Sequence, residues 1–327
     1  MRVLVTGGAG YVGSVSVERL VAAGHEVTVL DSLVTGHREA VPPGVELVVG
    51  SVGDPSVVGP LLARRRIEAV LHCAARSLVG ESVREPDLYE RENVEGGEAL
   101  LEAMKGAGVG RIVFSSTAAV YGAPEETPIT EDAPLRPINP YGDTKRRFEE
   151  AMERAAARHG LCAATLRYFN VAGASGVNGE DHDPETHLIP NVLRAVETGD
   201  PMTLFGDDYP TPDGTAIRDY VHVEDLAEAH LAALELTGSS GPGLLVANLG
   251  SGAGFSVRAV VDAAAVVVGR PVPHVVGSRR EGDPPVLVAS NERARELLGW
   301  SPRRGTLAEM IGSAWAWRQA HPGGYVQ

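Results

Sequence analysis

The chain has 327 residues, 43% hydrophobic and 22% charged, with 39 glycines, enough for a full core and two domains. Its formal net charge of −14 excludes a general nucleic-acid or anionic-membrane surface, because phosphates and acidic lipids need a basic face. No stretch reaches the roughly 18 apolar residues of a membrane span, and Cys73 and Cys162 sit in apolar runs far from any CxxC or Cys/His spacing, as buried reduced thiols of a cytoplasmic protein do.

In chain order, RVLVT, EVTVL, VELVVG, EAVLHCA, RIVFSS and LCAATLRYF are short β-branched runs separated by helix-length stretches. They are apolar at nearly every position, the pattern of strands covered on both faces. The alternation predicts right-handed crossovers in a doubly wound parallel α/β sheet.

Directly after the first run comes TGGAGYVG, with Gly7, Gly10 and Gly13 opening the helical segment SVSVERLVAAG. Small residues let the backbone approach a pyrophosphate, and a helix N-terminus offers free N–H groups and a positive dipole end. The second run ends in Asp31, 18 residues beyond Gly13. A carboxylate there accepts bonds from ribose hydroxyls and repels a 2′-phosphate, which favours NAD over NADP.

The fifth run ends in FSSTAAVYG, setting Ser115, Ser116 and Thr117 at the sheet edge that faces the ligand in open α/β folds. A helix follows at NPYGDTKRRFE. It carries Tyr141 and, four residues on, Lys145, one of only two lysines in the chain. At this composition the spacing arises by chance only about 0.05 times, and i and i+4 share one helix face. Where an arginine would serve, this chain uses arginine; a compact ammonium is a different tool. The three groups Tyr141, Lys145 and Thr117 are expected to converge where a nicotinamide ring would lie.

After about Val171 the pattern changes to loops, to helices such as HLIPNVLRAVE and FSVRAVVDAAAVVVG, and to isolated strands such as LLVANL and PHVVG. The expected division is a dinucleotide-binding domain over 1–170, rejoined by part of 215–250, and a smaller substrate domain over 171–327. The polar segment GEDHDPETH lacks the i, i+4 histidine pair of a helical metal site and reads as a solvated loop without metal.

TGGAGYVG, Asp31, SSTAAVYG, YGDTK, LRYFNVAGA, RDYVHVEDLAEAH and RREGD together resemble the extended short-chain dehydrogenase/reductases, and within them the nucleotide-sugar 4-epimerase branch, over nearly the whole chain. The resemblance implies a Rossmann-type domain with a smaller C-terminal α/β substrate domain, a tightly held NAD, a UDP-sugar substrate and a homodimer. The activity implied is reversible inversion at carbon four of a UDP-hexose, UDP-glucose or UDP-galactose, through a 4-keto intermediate that turns over before the hydride returns.

Carried onto this sequence, the resemblance makes Tyr141 the base, Lys145 its charge partner and Thr117 the assisting hydroxyl. NAD would be contacted at Gly7, Gly10, Tyr11, Val12, Gly13, Asp31, Ser51, Val52, Cys73, Ala74, Ala75, Asn93, Ser115, Tyr141, Lys145 and Phe169. The UDP-sugar would meet Thr117, Asn170, His187, Leu188, Phe205, Arg218, Arg280, Asp283 and Leu287. Read as residues alone, Arg218 would pair with Asp219 or Asp225, and Arg280 with Glu281 or Asp283.

Four positions depart from the family pattern. Ser51 replaces an adenine-binding Asp, with Asp54 close by. Ser77 follows Arg76 where a Lys is frequent, His187 replaces an Asn, and Leu287 is intermediate in size where Tyr or a smaller residue sets tolerance of N-acetyl sugars. UDP-N-acetylhexosamines and UDP-pentoses therefore stay open as substrates. A 4,6-dehydratase would need an acid pair after Thr117, but Ala118 and Ala119 stand there; a non-catalytic NAD-binding protein gives no reason to keep Tyr141 with Lys145.

Overall fold

The computed structural model describes residues 1–280 and 282–325. Its strands are β1 (Arg2–Thr6), β2 (Glu26–Asp31), β3 (Glu46–Val49), β4 (Ala69–His72), β5 (Arg111–Thr117), β6 (Cys162–Tyr168), β7 (Asn170–Ala172), β8 (Met202–Phe205), β9 (Ile217–Arg218), β10 (Tyr220–His222), β11 (Gly243–Leu249), β12 (Phe255–Ser256), β13 (His274–Gly277) and β14 (Val286–Leu287). The helices are α1 (Tyr11–Ala22), α2 (Pro55–Arg65), α3 (Val79–Arg84), α4 (Pro86–Tyr89), α5 (Gly96–Ala107), α6 (Pro140–His159), α7 (Leu188–Thr198), α8 (Val223–Ser239), α9 (Val257–Val268), α10 (Glu292–Leu298) and α11 (Leu307–Ala320).

Seven parallel strands form the main sheet in the order β11-β6-β5-β4-β1-β2-β3, the strand order reversing between β1 and β4, where the crossover from β3 returns to the far side of β1. Alternation of side chains along each strand divides the core. Val3, Val5, Val27, Val29 and Val113 face α1 and α8, packing on Val17, Leu20, Leu226 and Leu234. Leu4, Leu30, Val70, Ile112 and Phe114 face α2, α5 and α6, packing on Leu62, Leu100, Met104, Phe148 and Met152. Each such side chain, fully buried, contributes roughly 1.5–3 kcal/mol, which is why the strands are apolar on both faces.

The six runs read as sheet strands all lie in this sheet. LLVANL does not stand alone in the second half: as β11 it pairs with β6 from Gly243↔Cys162 to Leu249↔Tyr168 and closes the sheet edge, with α8 returning to the β1 face. PHVVG, as β13, pairs with β8 away from the main sheet. A separate core of Ile189, Val192, Leu193, Leu204, Val260, Val261, Met310 and Ile311 holds α7, α9 and α11 together.

Candidate active site

The carboxyl ends of β1, β4 and β5 meet the first turns of α1 and α6. Gly7 has φ +71°, and a Cβ there would stand 2.5 Å from the Ala74 nitrogen; at Gly13 it would stand 2.0 Å from the Gly7 carbonyl oxygen. Both positions therefore exclude a side chain. Gly10 is the N-cap of α1 and offers no side-chain cap, so the first-turn amides of Tyr11, Val12 and Gly13 have no intrahelical acceptor. This cradle, which only hydrogens can line, fits a pyrophosphate on a helix N-terminus.

Asp31 ends β2 buried, with Oδ2 accepting the Ala9 amide at 2.9 Å and Oδ1 the Leu33 amide at 2.9 Å. Both oxygens keep lone pairs for ribose hydroxyls. Val52 is buried beyond β3, and Ser51 is exposed with its Oγ accepting from Gly53 N. Asp54 caps α2, its Oδ1 accepting from the Ser56 amide and hydroxyl. Cys73, Ala74 and Ala75 follow β4 beside the glycine turn, and burial pushes the Cys73 thiol up to about 11.

Asn139 caps α6 by accepting Gly142 N at 2.8 Å, and Pro140 occupies the first turn. A Cβ on Gly142 would meet the Ala119 carbonyl oxygen at 2.6 Å, so the glycine between Tyr141 and Asp143 lets the helix start against the turn that leaves β5. Tyr141 and Thr117 are thereby brought together. Burial pushes the Tyr141 phenol up, and hydrogen bonding to Thr117 opposes that shift.

Lys145 is 3% exposed, too little for water to solvate its charge, and burial lowers its ammonium to about 8. Its Nζ donates to the Ser115 carbonyl at 2.9 Å and lies 4.6 Å from the Phe114 ring centre, against 6.0 Å from that of Tyr141. Within the protein, then, the ammonium is anchored to β5.

Of the hydroxyls ending β5, Thr117 keeps its Oγ1 on the turn that follows, accepting the Ala119 amide at 3.2 Å. Ser115 turns its Oγ to His230 Nε2 at 2.9 Å and to Cys73 Sγ at 3.2 Å, while Ser116 donates to Glu149 Oε1 at 2.5 Å. Asn93 lies in a π-helical turn, Glu90–Glu95; its Nδ2 donates to the Arg76 carbonyl and Thr144 Oγ1, and its Oδ1 accepts Arg76 N. It clamps the loop after β4, leaving no amide hydrogen for a ligand. Phe169 is buried against Val120, Tyr121, Ile129 and Ala289, with Leu287 and Ala118 at the rim of the same cluster.

Arg218 in β9 donates to Asp283 Oδ1 at 2.5 Å and to its neighbour's carbonyl. It pairs with neither Asp219 nor Asp225. Asp219 accepts instead the amides of Tyr220, Ser251, Gly252 and Ala289 and the Ser251 hydroxyl, five bonds of 2.6–3.0 Å. Asp225 accepts the Arg303 and Arg304 amides and the Arg304 guanidinium. Leu287 stands beside Arg218 in the β14/β9 register, and the Arg280 guanidinium lies 4.1 Å above the Phe205 ring centre. Glu281 lies outside the described residues. Asn170 Nδ2 donates to the Asp219 carbonyl at 2.9 Å, and Ser77 follows the loop clamped by Asn93.

Three networks escaped the sequence reading. Glu149 and Arg167 form a bidentate buried pair, 2.6 Å and 3.1 Å, which continues to Tyr121 and Asn248. His230 joins Ser16 Oγ at 3.0 Å to Ser115 and, wholly buried, is held neutral with its ring lowered to about 3. Its signal was the final His of VEDLAEAH, buried face of α8. The third is the GEDHDPETH segment, which is no solvated loop: Glu180 and Glu185 side chains are 8% and 10% exposed and pair with His182 and His187. His187 thus faces two carboxylates just before Leu188 opens α7.

A cradle for a pyrophosphate and a phenol within reach of the same strand ends place the protein among the dinucleotide-dependent α/β enzymes. More narrowly, the chain belongs to the NAD dependent epimerase/dehydratase family, whose model matches residues 3–250. It is 52% identical over 324 residues to a UDP-glucose 4-epimerase of Streptomyces lividans, covering 98% of this chain and 97% of that one. To a UDP-glucose 4-epimerase of Lactobacillus helveticus it is 50% identical over 331 residues, 99% of each. The crystal structure of the UDP-glucose 4-epimerase from Brucella ovis in complex with NAD matches with a TM-score of 0.94 at 43% identity, over 97% of this chain and 98% of that one.

Proposed function

We propose that the protein is an NAD-dependent isomerase that inverts carbon four of a UDP-hexose, interconverting UDP-glucose and UDP-galactose with no net oxidation. The single observation that carries this reading is the start of α6 against the end of β5, with Gly142 packed on Ala119 and Lys145 bonded to Ser115, which sets the buried Tyr141 at that strand end beside a glycine turn that admits no side chain. Bound NAD supplies the acceptor, and afterwards the donor, of one hydride.

In this reading Gly7, Gly10 and the α1 amides hold the pyrophosphate, and Asp31 the adenosine ribose. Tyr141 takes the proton of the sugar 4-hydroxyl and later returns it, with Thr117 donating to the phenolate as charge develops. Lys145, fixed by Ser115, is held where it can bond a ribose hydroxyl and supply positive potential. Arg218 is set to grip the diphosphate by exchanging its Asp283 bond for paired bonds to phosphate oxygens. Phe205, Arg280, Asn170, His187, Leu188 and Leu287 would wall the nucleotide and the sugar, which must turn over while the diphosphate stays put.

The resemblance supports a homodimer, the two free thiols support a cytoplasmic setting, and the reaction belongs to galactose metabolism. No helix among the described residues is long and apolar enough to cross a membrane. The test is incubation of the purified protein with UDP-galactose and no added cofactor, followed by chromatography of the sugar nucleotides. UDP-glucose should form; its absence, with folded NAD-loaded protein, rejects the assignment. UDP-N-acetylgalactosamine run beside it measures what Leu287 admits.

A further inference from the structure

Glu180, His182, Glu185 and His187 each present one ligand-type atom to a common centre, and these four atoms lie within 4.8 Å of one another. His187 Nδ1 is 2.8 Å from Glu180 Oε1 and 2.8 Å from Glu185 Oε1; His182 Nδ1 is 3.2 Å from Glu180 Oε1 and 3.8 Å from Glu185 Oε2. Donors on a tetrahedral zinc ion, at about 2.0–2.2 Å from the metal, stand roughly 3.3–3.6 Å from each other. With Oε1 as the Glu185 donor, the separations of 2.8, 2.8 and 3.2 Å are a little shorter than that edge and no pair of the four atoms exceeds 4.8 Å, so rotations of the side chains that spread them would give a tetrahedron.

Ion pairing leaves one atom of the group unaccounted for. His182 Nδ1 is shut off from solvent and has no well-directed hydrogen-bond partner among the described residues, although Glu180 Oε1 is only 3.2 Å away. An orphaned buried polar atom costs about 1–3 kcal/mol. A cation at the centre would take that lone pair directly. It would also separate two imidazole rings whose centres are 5.3 Å apart.

We propose that Glu180, His182, Glu185 and His187 form a binding site for one divalent transition-metal cation of the zinc class. Imidazole with carboxylate suits zinc and its neighbours rather than magnesium or calcium, which favour all-oxygen shells. Four protein donors fill a tetrahedron and leave no open position, so the ion is structural and takes no part in hydride or proton transfer. It fastens the segment between Gly179 and α7 beside the cofactor turn, where the Tyr11 ring stands edge-on 6.3 Å from His182.

The proposal is tested without reference to turnover, so its failure leaves the epimerase reading untouched. NAD-loaded protein is freed of metal with a chelator and titrated with Co2+. The expected result is the intense visible absorption of tetrahedral cobalt, saturating at one ion per chain and bleached by Zn2+. His182→Ala and Glu185→Gln should each lower the affinity at least ten-fold. A weak octahedral spectrum from wild-type protein at equimolar cobalt overturns the proposal, and that measurement needs no variant to fold. A tetrahedral spectrum unchanged in both folded variants overturns it too.

Discussion

The ammonium of Lys145 sits 2.9 Å from the Ser115 carbonyl oxygen, so the buried lysine is tied to β5 rather than to the phenol one helical turn before it. The strand end and the helix start are thus tied together, and burial raises the Tyr141 phenol while the Thr117 hydroxyl opposes that shift. Tyr141→Phe should lower kcat about 10²–10⁴-fold, the usual contribution of a general base, while NAD still copurifies. Thr117→Val should move the acid limb of the kcat/KM pH profile to higher pH, since it removes the bond that lowers the phenol. A profile unmoved in position would exclude Thr117 from this role.

Gly13→Ala should abolish NAD binding, because its Cβ would lie 2.0 Å from the Gly7 carbonyl oxygen and the turn must open to admit it. Gly24→Ala, at φ +81° but in open space, strains only its own backbone and should cost stability without loss of cofactor. Absorbance of the bound dinucleotide, read against the unfolding midpoint, separates the two effects.

His72, His222 and His230 are buried and neutral, lowered by desolvation to about 3, 4 and 3. In the unfolded chain each takes a proton near pH 6.5. Between there and pH 3–4 the unfolded state binds more protons, so stability falls as pH falls through that window, by about 1.4 kcal/mol per pH unit for each histidine. His230→Gln keeps hydrogen-bonding capacity without the titration. Denaturant melts at pH 6.5 and 5 should show a shallower loss for this variant; equal slopes would refute the assignment.

Glu149 and Arg167 are 4% and 6% exposed at their side chains, so removing one leaves the other as a buried unpaired charge. Arg167→Met should destabilise the protein by about 3–5 kcal/mol. The Arg167→Met/Glu149→Leu double variant should recover much of that loss, as urea titration would show.

Arg218→Met should raise KM for the UDP-sugar at least ten-fold with little change in kcat, the pattern of a contact held equally in ground and transition states. An equal fall in kcat and kcat/KM would move Arg218 from binding to chemistry.

The sheet was legible because strands buried on both faces have to be apolar throughout, and β1 to β6 are. The place of β11 was half legible: part of 215–250 is expected to rejoin the dinucleotide-binding domain, but LLVANL reads as an isolated strand and acquires its identity only by pairing with β6, some eighty residues earlier. Tyr141 and Lys145 were visible through a local spacing. Asp219 and His230 were invisible for the opposite reason: their partners, Ser251, Ala289, Ser16 and Ser115, come from distant segments, and a buried polar side chain looks like an exposed one in a string of letters. GEDHDPETH misled in the same way, its acidic and imidazole side chains turned toward one another.

The five bonds converging on Asp219 have a mechanical meaning. They rivet β9, β10, the turn after β11 and the strand leading to Ala289 at a single point next to Arg218, and a methyl group at Gly250 would already collide there, 2.3 Å from Oδ2. Hinge opening between the sheet and the Arg218 wall would have to shear the four bonds to Ser251, Gly252 and Ala289 together. Phe205, 40% exposed under the Arg280 guanidinium, carries none of these bonds, so freedom to move lies there rather than at the riveted junction.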